Sequence, residues 1–195
     1  MARPRTTTDE ALLTAAGRAI GRHGPAGLTL AAVAAEAGVS PATLVQRFGS
    51  KRGLLLAVAE RAARDTAAPF DEARRAHRSP LAALTAALAA MAEPVRSPEE
   101  LAGHLGFLQL DLTDPQFREH ATRATTRMRE EIAALLADAV SAGELGPDAA
   151  VGRLARAVQV TYNGALITWA LTGEGDLATA LRADLDHLLK KERTA

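Results

Sequence analysis

A chain of 195 residues is long enough for one large or two small domains with a real apolar core. It holds no cysteine, which excludes disulfides and thiolate metal sites; its apolar residues, 48% of the chain with aromatics only 3%, are largely alanine and leucine. Formal charge is zero overall, yet residues 1–65 carry nine Arg/Lys against five Asp/Glu, a net of +4 that leaves −4 for the remainder, as expected when only one end of a protein meets a polyanion.

Nowhere do β-branched residues alternate over a strand's length, so the chain reads as all-α. The opening "MARPRTTTDEA" has no apolar core of a secretion signal, and no apolar run approaches the roughly 18 residues that span a bilayer. A cytoplasmic protein with no membrane partner is expected.

The first helix is predicted from Thr8 or Asp9 to His23, with Leu12, Ala15, Ala16, Ala19 and Ile20 on one face and Gly24-Pro25 as its stop. Thr29 caps a second helix over Leu30 to Ala37. Gly38 then supplies a positive-φ corner, Val39 plugs the core, and Ser40 caps a third helix with Pro41 at its first position. On that helix Leu44 and Phe48 lie four apart and face inward. Ala42, Val45 and Gln46 therefore point out, with Thr43 and Arg47 at the flanks. Two short helices around a glycine turn, the second with a small mixed outer face, make a helix-turn-helix whose outer face fits a DNA major groove. The plain alternative is a corner of an ordinary helical bundle, but Gln46, Arg47, Lys51 and Arg52 form a polar, basic rim that no core requires.

From Thr8 to about Val58 the chain resembles the DNA-binding domain of the TetR family of transcriptional regulators. The resemblance rests on Gly24, Leu28-Thr29, Val33-Ala34, Ala37-Gly38-Val39-Ser40, Thr43-Leu44, Phe48, Ser50-Lys51 and Leu54-Leu55. It implies DNA contacts from Thr29, Ser40, Ala42, Thr43, Val45, Gln46, Arg47 and Lys51. The family usually places Tyr where Val45 stands, and often His or Tyr where Arg47 stands. Valine cannot make the phosphate hydrogen bond of that tyrosine, whereas Arg47 can replace it electrostatically.

Beyond Thr66 helices are predicted from Pro80 to Met91, Glu99 to Asp111, and from Asp114-Pro115 to the turn "SAGELGPD". Asp148 is expected to cap a helix reaching Leu171, and Asp176 the last, to about Lys190. The helix ending at Leu171 has two apolar stripes. One runs through Val151, Ala155, Val158, Tyr162, Ala165 and Trp169, the other through Leu154, Ala157, Val160, Gly164, Ile167 and Leu171, so it needs two partners. The resemblance implies a four-helix bundle between the last two helices of two subunits. Leu166, Trp169, Leu181, Leu185 and Leu188 are its expected interface, against the alternative of one large monomeric core.

No nucleophile elbow, phosphate loop, dinucleotide turn or zinc motif occurs, and no cofactor or metal is expected. Glu100 with His104, and Asp184 with His187, sit one helical turn apart, but the further ligands of a di-iron bundle are missing. His104, Phe107, Leu108, Phe117, Met128, Tyr162 and Asn163 are the candidate ligand-binding residues, though residues of this kind are more often plain core. The pair Tyr162-Asn163 is singled out, because burying Asn163 unpaired is costly and a ligand or water would satisfy it.

The domain expectation is a helix-turn-helix domain over 1–50, a connecting helix over about 51–65, and a ligand-binding and dimerisation domain over 66–195. The functional expectation is a homodimeric repressor that binds a palindromic double-stranded DNA operator and is released by a small-molecule effector. A dimeric all-α binding module without DNA activity, or a helical-bundle enzyme, are the rivals.

Overall fold

The computed structural model describes residues 7–93, 95–190 and 192, and among these residues there are eleven α-helices and no strand. They are α1 (Asp9–Gly27), α2 (Leu30–Ala37), α3 (Pro41–Phe48), α4 (Lys51–Asp65), α5 (Ala68–Ala76), α6 (Pro80–Ala92), α7 (Pro98–Leu105), α8 (Phe107–Thr113), α9 (Pro115–Ser141), α10 (Val151–Thr172) and α11 (Leu177–Leu189). Five helix starts share one device, a short polar side chain that accepts from an amide three residues on. Thr8 accepts from Ala11, Thr29 from Ala32, Ser40 from Thr43, Ser79 from Ala82 and Asp176 from Thr179. Ser50 does the same for the Gly53 amide at the start of α4.

Three boundaries differ from the sequence expectation. The stop at Gly24-Pro25 is a kink at Gly24, φ 62°, after which one more helical turn runs to Gly27. Glu99 to Asp111 is two helices, parted at Gly106, where a Cβ would lie 2.8 Å from the Pro25 ring. Asp148 caps nothing: α10 starts at Val151, after Ala150, which offers no capping side chain.

The chain forms two compact units, Met1–Ala63 with Glu99–Ala121, and Arg64–Pro98 with Thr122–Ala195. The stretch 99–121, grouped by sequence with the body, thus packs with the helix-turn-helix in the first unit. In this first unit Leu12, Ile20, Val33, Leu44, Leu54 and Phe117 are buried together. Burial of Leu44 alone is worth about 2 kcal/mol. Two glycines set the spacing of its helices. A Cβ on Gly103 of α7 would come within 2.1 Å of the Gly21 carbonyl oxygen of α1, and one on Gly53 of α4 within 2.0 Å of that of Phe48.

In the second unit Phe70, Leu84, Leu88, Ile132, Leu135 and Leu136 form the centre of the core, closed by α10 and α11. Its buried polar groups are partnered. Glu131 is clamped by Arg74 and Arg127, each at 2.7 Å, and the Gln159 amide donates to the Thr125 carbonyl at 2.8 Å.

The expected subunit interface requires correction. Leu181 and Leu185 are 0% exposed in a single chain, because α11 turns its Leu177, Leu181, Leu185 and Leu189 onto the unit's own core. Leu166, Trp169 and Leu188 also pack partly against that core, and the Trp169 indole donates to the Gly175 carbonyl at 3.1 Å. The apolar surface left outside lies on the other stripe of α10, with Val160 at 59%, Ile167 at 43% and Leu171 at 82% exposure, and Gly164 exposed among them.

Candidate nucleic-acid interface

Ser40 and Pro41 launch α3, and the burial of Leu44 fixes its rotation. With that face inward, Ala42, Val45, Gln46 and Arg47 are exposed and Thr43 is half-buried. Val45 at 49% exposure is an apolar side chain that the unit's core does not use. Thr29 and Ser40 are also exposed, but their hydroxyls already cap α2 and α3, and the Ser40 and Thr43 hydroxyl oxygens lie 3.1 Å apart. Their outward surface is therefore small and largely satisfied, while the Gln46 amide carries the widest donor and acceptor choice.

Charge around this face is mostly paired. Arg47 donates to Asp9 at 2.6 Å, and Arg18 and Arg22 both donate to Glu36, holding that carboxyl below the usual range. Arg52 donates to Asp114 at 2.7 Å, which likewise lowers that carboxyl, and its guanidinium lies 5.7 Å from the centre of the Phe117 ring. Arg61 reaches Glu10. Lys51 differs: its ammonium donates to the Ala26 carbonyl at 2.7 Å, and among the described residues no carboxylate pairs with it. The pairs Arg47–Asp9 and Arg52–Asp114 span 38 and 62 residues, and no local sequence signal could have shown them.

The candidate ligand residues divide between the units. In the first, Phe107 and Phe117 pack with ring centres 6.2 Å apart and planes tilted by 58°, Leu108 is exposed, and His104 lies with Glu100 against Gly21. Burial pulls the His104 imidazole below its ordinary value of 6.5, more than Glu100 raises it. In the second, Met128 and Tyr162 belong to the core, and burial pushes the Tyr162 hydroxyl up to about 12. Asn163 is exposed rather than buried, because Tyr162 and Gln159 take the inward face of α10. The cost of burying an amide, which singled Asn163 out, therefore does not arise within one chain. Among the described residues no group of three or more His, Cys, Asp or Glu is placed to hold a metal ion, and no helix is long and apolar enough to cross a membrane.

The second unit also contains a cavity of about 1070 Å³ between α6, α11 and the turn at Gly143-Glu144. None of the sequence-predicted ligand residues lines it. Glu144 there accepts from the Leu81 amide at 3.0 Å and so caps α6 from across the unit, a role that only the fold reveals.

Comparison with known proteins agrees with this arrangement. Residues 12–58 match the bacterial regulatory proteins of the tetR family, and residues 80–193, more than half of the chain, match the C-terminal domain of BetI-type transcriptional repressors. No curated protein matches significantly. Among solved structures the chain is similar to a transcriptional regulator from Rhodococcus sp. Rha1, with 20% identity, TM-score 0.73, and 97% of this chain and 100% of that one covered. It is similar also to a TetR transcription regulator from Haloarcula marismortui, with 17% identity, TM-score 0.79, and 95% and 98% covered. A third is SmeT, the repressor of the Stenotrophomonas maltophilia multidrug efflux pump SmeDEF, with 21% identity, TM-score 0.67, and 97% and 92% covered. Two matched segments, and a helix-turn-helix whose small outer face is left free of its own core, place the chain in the TetR family of bacterial regulatory proteins, which are transcription regulators and not enzymes.

Proposed function

We propose that this protein is a homodimeric repressor that grips a palindromic operator with two copies of α3 and lets go when a small molecule binds its second unit. The observation that carries the reading is the outward face of α3: Val45 is 49% exposed beside Gln46, on a helix too short to need that surface for packing. Gln46 is assigned to an adenine edge, Ala42 and Val45 to apolar contact with thymine methyls, and Thr43, Arg47 and Lys51 to the backbone. Thr29 and Ser40 stand at helix N-termini, where their neighbours' amides suit a phosphate. A twofold protein puts half-sites about 34–36 Å apart, or a multiple of that.

The dimer is assigned to the exposed stripe Val160, Gly164, Ile167 and Leu171 of α10, which supplies the second partner that this helix's two apolar stripes call for. The effector is assigned to the cavity at α6 and α11, whose volume of about 1070 Å³ is ample for a small molecule. Its rim holds Glu93, Glu144, Asp176 and Asp186 against Arg182, which favours a neutral or cationic guest. Release needs only that the guest prefer one spacing of the heads; operator and effector then oppose each other by linkage.

Titration of a fluorescent palindrome from the adjacent promoter at several salt concentrations tests the reading. Operator affinity should exceed that for random DNA by about 10³-fold or more, and both should fall steeply with salt. Equal affinity for both DNAs, or none, refutes it.

A further inference from the structure

A second cavity, of about 450 Å³, opens wholly within the first unit beside the start of α4, and no role assigned above uses it. Its volume lies inside the range of small-molecule sites, about 300–1,000 Å³. Leu55, Leu110 and Phe117 give it an apolar lining, and Lys51, Arg52 and Asp114 a polar one. The apolar part is firm: Leu55 is 5% and Phe117 1% exposed, and the Phe117 ring is held between Phe107 and Arg52. Arg52 and Asp114 cancel each other at 2.7 Å. Among the described residues no carboxylate pairs with Lys51. An ammonium carries three donors, and the Ala26 carbonyl takes one of them. What remains is one positive charge at the edge of an apolar slot.

We propose that this slot binds a small, flat, apolar monoanion, an aromatic carboxylate of bicyclic size. Its rings lie against Leu55, Leu110 and Phe117, and its carboxylate accepts from the Lys51 ammonium. Inorganic phosphate or sulfate would leave the apolar lining unused, and a cation would meet Lys51. Since Lys51 is also assigned to a DNA phosphate, an occupant weakens DNA binding by taking up that charge. This second consequence rests on the function proposed above; occupancy itself does not.

The test titrates the full-length chain with naphthoate by calorimetry and by amide NMR shifts, alongside neutral naphthamide. Naphthoate should bind saturably, shifting residues 51–55 and 106–117, and the amide about tenfold or more weaker. Gln109 lies exposed at the rim, so Gln109→Trp should plug the slot and weaken naphthoate about tenfold or more without touching the core. Leu110→Ala, which thins the lining instead, should weaken naphthoate and the amide alike. No saturable binding, equal binding of the amide, or shifts centred on Ala82 and Arg182 of the second unit overturns the site. In a DNA titration, naphthoate should lower the affinity of the wild type by as much as Lys51→Ala does, and leave Lys51→Ala unchanged. Binding in the slot with DNA affinity unaltered overturns the coupling. A wild type that binds no DNA refutes the repressor reading, while the naphthoate titration still decides the slot.

Discussion

In the first unit α2 and α3 are eight residues each, too short to hold themselves helical, and they are fixed at their ends by Thr29, Ser40 and the left-handed Gly38, φ 67°. The second unit is built from α6, α10, α11 and most of α9, helices of 13 to 27 residues fixed along their lengths by alanine and leucine. The helix-turn-helix head is thus set by local chemistry and a few close backbone approaches, and the outer face of α3 stays small and mixed. The body is set by long apolar stripes, one of which remains uncovered on α10. The contrast implies that single changes at caps and glycines disturb the head locally, whereas the body fails by loss of core or by loss of a partner.

The largest effect should come from separating those two failures in the body. Leu181→Glu buries a carboxylate at a position that is 0% exposed, so thermal melting should show a loss of about 4 kcal/mol or more, with unfolding of the body. Ile167→Glu, on the exposed stripe, should leave the chain folded and lower the melt only by what the partner contributed. It should split the proposed dimer in sedimentation and lower operator affinity roughly 10²–10⁴-fold. A dimer that survives Ile167→Glu moves the interface off α10.

Next in size is the head's close packing. Gly53→Ala drives a methyl to within 2.0 Å of the Phe48 carbonyl, a backbone group that cannot swing aside. Denaturant unfolding should show about 3 kcal/mol lost. Gly17→Ala, on the same unit but with only the flexible Arg61 side chain at 3.9 Å, should cost nothing or stabilise slightly. Equal effects of the two would mean that the head is not governed by backbone approach.

Smaller changes sharpen the outer face. Gln46→Ala should cost roughly 1–3 kcal/mol at one base position per half-site and relax the preference there, as read by selection from random operators. Lys51→Ala should weaken operator and random DNA about equally and reduce the salt slope by about one.

The smallest effect is a pH dependence. Burial lowers the His104 imidazole in the folded state, so the unfolded chain takes up the proton first. Stability should therefore be full above about pH 6.5 and decline as pH falls through that value towards the folded one. His104→Gln should flatten this part of the profile in melts between pH 7.5 and 5.5; an unchanged slope would assign it to another group.

Helix type and most helix starts were legible because their causes lie within a few residues. Thr29 reaches Ala32 and Ser40 reaches Thr43, and the Leu44–Phe48 spacing sets the face of α3. The family resemblance was legible for the same reason, since some fifty contiguous positions carry it. The breaks at Gly106 and after Asp148 were not, because a glycine or an acid marks several kinds of boundary, and the choice at Gly106 depends on Pro25, far away in sequence.

The sequence alone determined that α10 has two apolar stripes, since a stripe follows from 3.6-residue periodicity and nothing else. Which stripe would be covered was decided by tertiary structure. Leu177, Leu181, Leu185 and Leu189 of α11 enter the unit's own core, leaving Val160, Ile167 and Leu171 outside. The sequence likewise counted the basic residues of the head but not their partners. Only the fold pairs Arg47 with Asp9 and Arg52 with Asp114, and leaves Lys51 facing a carbonyl, because ion pairs form through space and carry no periodicity along the chain.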